Sequence, residues 1–118
     1  MDIYQIELYE TAEGNCPVKD FLDSLPTKIS AKIDRDIGIL QEFNVKLREP
    51  LVKPLENGLF ELRTQVGNDN VRVLYFFFDG KKIVLTNGFI KKTPKTPRKH
   101  IDKAIEYKKD YLKRSCLK

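Results

Sequence analysis

The chain is poor in the residues that most enzymes use for nucleophilic or metal chemistry: it has one histidine and two cysteines in 118 residues. With His100 alone, no Ser-His-Asp set is expected. Cys16 and Cys116 lie near opposite ends, without CxxC spacing and without a neighbouring histidine. The expectation is two free thiols in a reducing compartment, no zinc site and no other metal or cofactor. No pair of carboxylates is spaced for two-metal work, and no glycine-rich phosphate loop is present. The longest apolar run, VLYFFF, stops at Asp79. It falls far short of the ~20 residues of a membrane span. The N-terminal MDIYQIELYE is acidic and alternating rather than basic and then apolar, so a cytoplasmic protein is expected. Repeats and low-complexity segments are also absent.

What is present is a globular composition. Hydrophobic residues make up 41% and charged residues 33%, which suits one packed core and one domain spanning residues 1–118. The net charge of +5 is unevenly spread. Residues 91–118 hold eleven Lys/Arg against three Asp/Glu, a balance of +8; residues 1–90 hold eleven against fourteen, a balance of −3. A positive excess confined to the C-terminal quarter points to a polyanion or an acidic partner there, or to a solvated basic helix.

Hydrophobic periodicity sets the element order. Ile3 to Tyr9 alternates as a strand. Asn15 is placed to cap a short helix with Pro17 in its first turn and Val18, Phe21, Leu22 and Leu25 on one face. Ser24 and Pro26 break it from a second helix, Thr27 to about Phe43. That helix carries the stripe Ile29, Ile33, Ile37 and Leu40, with Lys28, Lys32, Arg35 and Asp36 largely off it. LREPLVKPLENG reads as irregular and leaves Lys53 exposed enough to reach a ligand. LFELRTQV, VRVLYFFF and KKIVLTNGFIKK read as strands joined by GNDN and by an Asp79-Gly80 turn. A last helix starts near Pro97 and runs to about Lys113. The fold class is α+β: a small antiparallel-rich twisted sheet with an N-terminal helix pair and a C-terminal basic helix. The helices are expected on one face, while the triple Phe76, Phe77, Phe78 suits a central strand covered on both.

Hairpin register gathers the candidate site. If Asp79 and Gly80 alone form the second turn, Phe78 faces Lys81, Leu74 faces Leu85 and Arg72 faces Asn87. If GNDN is a four-residue loop, Gln65 faces Arg72 and Arg63 faces Leu74. Strand alternation then puts Arg63, Gln65, Arg72, Asn87, Phe89 and Lys91 on one face. Leu62, Val73, Tyr75, Val84 and Ile90 take the other. An arginine within so apolar a strand as Val71–Phe78 needs an anionic or polar partner. Arg63 either serves a ligand or pairs with Glu61 or another surface acid. Next comes IKKTPKTPRK, in which Lys91, Lys92, Lys95, Arg98 and Lys99 are spaced along a path stiffened by Pro94 and Pro97. Thr96 is placed to cap the last helix. Such a loop suits a phosphate backbone, or plain solvated surface.

The set GLFELR, RVLYFF with its Asp-Gly turn, and GFIKKTPKTP before a basic helix resembles the HigB-like branch of the RelE/ParE toxin superfamily, which has many phage-derived members. The likeness covers residues 50–105 best. It implies a RelE-like toxin domain and a ribosome-dependent, metal-independent endoribonuclease that cuts messenger RNA. The implied partners are an antitoxin with a helix-turn-helix domain, messenger RNA and the ribosome, and no membrane. Carried over position by position, it implies catalytic roles for Lys53, Arg63, Arg72, Lys91 and Lys92. This chain has Asn87 where many relatives have a histidine, which removes one proton-transfer group.

RNA cleavage of this kind requires a 2′-hydroxyl to attack the adjacent phosphate while the 5′-oxygen gains a proton. Arg63 and Arg72 suit the non-bridging oxygens, and a lysine with a lowered pKa suits the proton transfer. Gln65, Asn87, Lys95, Arg98 and Lys99 are the expected RNA-binding residues. Tyr107 and Tyr111 join them if they stack on bases; otherwise they pack the last helix on the sheet. Two other classes stay open: a gyrase-poisoning toxin, and a nucleic-acid-binding or operon-regulating module without catalysis.

Overall fold

The computed structural model describes residues 3–116. Five strands form one mixed sheet in the order β1-β5-β4-β3-β2. They are β1 (Gln5–Leu8), β2 (Val52–Pro54), β3 (Leu59–Val66), β4 (Asp69–Phe78) and β5 (Lys82–Lys91). The helices are α1 (Pro17–Asp23), α2 (Thr27–Phe43) and α3 (Arg98–Ser115). β1 runs parallel to β5, and every other pairing is antiparallel. The apolar run VLYFFF lies on β4, the central strand, whose two faces are both covered.

The three helices do not share one face. Val18 of α1 and Ile29, Ile33 and Leu40 of α2 pack with Leu62, Val71, Val73, Tyr75, Ile83 and Leu85. Ala104 of α3, with Ile105, Tyr107 and Tyr111, packs on the other face against Leu59, Leu74, Phe76, Val84 and Phe89. The chain between β5 and α3 returns over the face that the first two helices leave bare. A sheet alternating apolar residues on both sides requires such a second layer.

Two helix details depart from the sequence pattern. α1 starts at Cys16 with no side-chain cap, and Pro17 fills the first helical position. Asn15 instead closes the preceding turn, its N–H donating to Thr11 Oγ1 at 3.1 Å. On α2, Asp36 is buried rather than off the stripe. It accepts a hydrogen bond from Thr64 Oγ1 at 2.7 Å and pairs with Lys32 at 3.1 Å. A buried carboxylate needs those donors, and Thr64 of β3 supplies the one that helical spacing alone cannot show.

Register departs from expectation at both hairpins. The first turn holds only Gly67 and Asn68, so Val66 pairs with Asp69 and Arg63 pairs directly with Arg72. Gly67 takes φ +59, open to glycine without strain. At the second hairpin Asp79 and Gly80 take left-handed φ, but Lys81 is left out of the ladder and Phe78 pairs with Lys82. A bulge follows, so that Tyr75 pairs with Leu85 and Leu74 with Asn87, leaving Thr86 over. Arg72 therefore faces Phe89, not Asn87. Val84, between the two irregularities, lies on the α3 face beside Phe76 rather than with Leu62 and Val73.

Cys16 and Cys116 are free thiols. Among the described residues no helix is long and apolar enough to cross a membrane.

At Gly88 the α1 ring of Phe21 packs directly onto the β5 backbone. A Cβ there would stand 2.5 Å from the Phe21 ring and 3.1 Å from the Arg72 carbonyl. Gly88→Ala should destabilise the fold by about 1–3 kcal/mol through overpacking, read as a lower urea midpoint at unchanged slope. An unchanged midpoint would show that α1 yields freely.

Candidate nucleic-acid interface

The site forms where α3 stops covering its face of the sheet. Phe89, Leu74 and Leu59 lie under the helix, and the next residues of their strands on that face are polar. β3 contributes Glu61, Arg63 and Gln65; β4 contributes Arg72 and Asn70; β5 contributes Lys91. Arg63 lies directly opposite Arg72, and Lys91 opposite Asn70. β2 adds Lys53 opposite Glu61. A cleft of about 570 Å³ runs here, lined by Arg63, Arg72, Lys91, Lys92, Asn68, Asp69, Asn70, Ile90, Thr93 and Pro94. A second, of 320 Å³, shares Arg63, Arg72 and Asn70 and adds Gln65, Thr64, Pro50 and Leu51.

Under the cleft lies Glu61, which is fully buried. Its Oε1 stands 3.5 Å from Arg72 Nε and 3.8 Å from Arg63 Nε, too far for a hydrogen bond to either. Its Oε2 accepts a hydrogen bond from Thr96 Oγ1. Thr96 thus ties the loop after β5 to the sheet and does not cap α3, whose N-cap is Pro97 with no side-chain bond. Arg63 also meets the exposed Glu49 at 3.6 Å. The alternative pairing of Arg63 with Glu61 is therefore present, but Glu61 is a core residue rather than a surface acid.

Burial lowers the Arg72 pKa, with Glu61 acting against the shift and Arg63 adding to it. Burial likewise holds the Lys91 ammonium below the ordinary lysine range; Glu61 raises it again, and Arg72, Arg63 and Lys53 press it down. Burial sets both directions, and the crowding of cations over a single carboxylate adds to it.

The other expected residues divide. Lys92 lines the cleft, Lys95 is exposed on the loop beyond it, and Lys99 is exposed in the first turn of α3. Arg98 instead makes a two-pronged pair with Glu56 and bonds Asp102 at 2.9 Å. Asn87 is buried at the bulge, where its Oδ1 is 2.7 Å from Thr86 Oγ1 and its amide donates to the His100 carbonyl at 3.2 Å. His100 stacks on Phe89 at 3.9 Å between centroids, and burial lowers its pKa. Tyr107 stacks on Tyr9 at 4.7 Å; Tyr111 packs edge-on to Phe76 and Phe78 and donates to Glu7 at 3.0 Å. Both tyrosines pack α3 on the sheet. Among the described residues, no three His, Cys, Asp or Glu side chains gather as metal ligands.

Sequence reasoning passed over Glu61 and Thr96 as parts of the site. The alternation in LFELR placed Glu61 two residues before Arg63, hence on the same face, and that signal was sufficient for the first.

Residues 20–109 match the family model "Phage derived protein Gp49-like (DUF891)". A Mycobacterium tuberculosis protein named "Probable endoribonuclease HigB1", present in two strains, is 30% identical over 100 residues, covering 84% of this chain and 77% of its own length. The fold is similar to that in the crystal structure of the archaeal RelE-RelB complex from Pyrococcus horikoshii, with a TM-score of 0.51 and 24% identity over 75% of this chain and 94% of that one.

The Lys91 side chain should titrate below the ordinary lysine range, as measured by side-chain NMR. Glu61→Gln should move it lower still, because the carboxylate is what holds it up. An unshifted Lys91 would remove it from the crowded group.

Proposed function

This chain belongs to the Gp49-like family, within the HigB-like branch of the RelE superfamily, and on that footing we propose that it is the toxin of a toxin–antitoxin pair, an endoribonuclease that cuts messenger RNA on the ribosome. The observation that carries this reading is the direct pairing of Arg63 with Arg72 in a cleft also lined by Lys91 and Lys92. Three strands deliver these cations to one place, and a phosphodiester is the ligand that their charge and fork geometry fit.

In this mechanism the RNA backbone enters the cleft along the Lys92–Pro94 wall and displaces Glu49 from Arg63. The two guanidiniums hold the non-bridging oxygens. As the 2′-hydroxyl gives its proton to solvent water and its oxygen attacks phosphorus, charge grows on those oxygens, and fixed cations at a partly buried site stabilise it most. The bond to the 5′-oxygen breaks, and Lys91 delivers the proton to that leaving oxygen. Its lowered pKa makes it a better acid than a free lysine. Lys53, on the edge strand, adds positive field. The charge stabilisation in this reading comes from side chains, and it calls on no metal ion in the chemical step.

The cleft is lined by four cations, Asn68, Asn70, Asp69, Thr93, Pro94 and Ile90, with no aromatic side chain among them. It grips backbone and leaves the bases to be held by another surface, which supports ribosome-bound messenger RNA as substrate. The relative named for its RelE-RelB complex supports an antitoxin partner, and the family resemblance suggests a helix-turn-helix protein.

Growth arrest on expression, relieved by a neighbouring antitoxin, is the expected cellular result. In vitro, cleavage should be clear on translating ribosomes and weak on free RNA. Arg72→Lys keeps the charge but loses the fork, and Arg63→Ala loses both. Each should reduce single-turnover cleavage by about 10²-fold or more. The rate should fall as pH rises through the Lys91 pKa, because the protonated amine is the acid, and Lys91→Ala should flatten that limb. Uncut messenger RNA together with inhibited DNA supercoiling would overturn this reading in favour of a gyrase poison. Salt-sensitive RNA binding without cleavage would favour the non-catalytic module.

A further inference from the structure

Glu61 poses a physical problem for any anion-binding role. It is a fully buried carboxylate directly beneath two arginines. A negative charge there opposes an incoming phosphate, so it does not serve affinity. Nor are its bonds saturated: Oε1 and Arg72 Nε are both buried without a hydrogen-bond partner. An unsatisfied pair in the core is retained at a cost.

Its neighbours show what the carboxylate does. Arg72 faces Glu61 with Nε and donates through Nη1 to the Val71 carbonyl at 3.1 Å. Two sides of the guanidinium are thereby set, which leaves Nη2 for a ligand oxygen in the cleft. The other carboxylate oxygen is held by Thr96, at the far end of the loop that carries Lys92, Thr93 and Pro94 along the cleft wall. A single side chain therefore connects the wall that meets RNA to the arginine that meets its phosphate.

We propose that Glu61, held by Thr96, is a positioning residue that orients Arg72 and couples the 92–97 loop to it. The inference rests on the ribonuclease reading above. Glu61 acts through the guanidiniums and does not touch the substrate. When RNA presses on the loop, Thr96 fixes Oε2, and Oε1 can close on Arg72 Nε, the pair left open in the free protein. The geometry for charge stabilisation is then completed only in the complex.

The test is a split between turnover and binding. Glu61→Gln keeps the shape and removes the charge; Thr96→Val removes the hydroxyl at nearly constant volume; Thr96→Ser restores it. Each variant is checked for folding by circular dichroism. Single-turnover cleavage of ribosome-bound messenger RNA is measured alongside binding of an all-2′-deoxy oligonucleotide, which cannot be cut by 2′-hydroxyl attack. Glu61→Gln should lose about 10- to 100-fold in cleavage rate, while the oligonucleotide binds as tightly or more tightly because a repulsive charge is gone. Thr96→Val should lose about 10-fold in rate, Thr96→Ser should recover to within about 3-fold of the parent, and the double variant should be no worse than Glu61→Gln alone. If Glu61→Gln does not fold, the Thr96 pair decides. An unchanged rate in folded Thr96→Val, additive losses in the double variant, or weaker oligonucleotide binding by folded Glu61→Gln would each overturn the proposal. A parent protein that does not cut RNA on the ribosome would instead end the ribonuclease reading.

Discussion

Two arginines face each other across neighbouring strands, with one buried carboxylate to hold them. Like charges directly opposite on a ladder repel, and a guanidinium as enclosed as that of Arg72 costs free energy unless an anion meets it. Glu61 meets both from below, at 3.5 and 3.8 Å. Remove it and two cations remain crowded at the end of a core strand; remove either arginine and the carboxylate has less to offset its burial. The cationic cleft is therefore not a feature laid over a finished fold. Its charges are tied into the packing of β3 and β4, and changes there act on stability and on chemistry together.

The place of the cleft follows from the two layers. α1 and α2 cover one sheet face along its length, while α3 covers only part of the other. The chain must travel from the end of β5 to the start of α3, and that passage, residues 92–97, forms the wall beside the uncovered polar end. The bulge at Thr86 and the stack of Phe89 on His100 pin the first turn of α3 over the sheet. A longer helix N-terminus would close over the cleft and Lys91; a shorter one would leave Phe89 bare. The boundary between apolar and cationic residues on that face coincides with the point where the helix begins.

Four of the five strands and the helix spans were legible from periodicity, and Thr27–Phe43 and Leu59–Val66 fall where the pattern put them, whereas β2 lies in the stretch LREPLVKPLENG that read as irregular. Exact register was not. The first hairpin is displaced by two residues, because Asp69 and Asn70 extend β4 instead of looping. The second is displaced by one at Lys81 and by one more at Thr86. Side-chain direction has a period of two, so a shift of two preserves the face and a shift of one reverses it. Arg63, Arg72, Phe89 and Lys91 thus share a face as expected, although none has its expected partner. Val84 and Leu85 lie between the two single shifts, and both changed sides. Tertiary partners were beyond the reach of pattern: Asp36 is buried because Thr64 awaits it, and Thr96 leaves the helix cap because Glu61 draws it away.

Net charge pointed to the C-terminal quarter and overstated the free charge it holds. Much of the C-terminal excess is already committed within the fold. Arg98 is held by Glu56 and Asp102, Arg114 by Asp110, and Lys108 by the Asn57 carbonyl and the Phe76 ring. These cations fasten α3 to the sheet and to the turn before β3. Lys92 and Lys95 are exposed on the connecting loop, beside the half-buried Lys91 and the arginine pair. A field that attracts a polyanion depends on where uncompensated charge collects more than on its total. Here the collection point is set by a loop of six residues together with strands β3 and β4, so composition pointed to the sign of the charge while only the fold shows where the uncompensated part of it gathers.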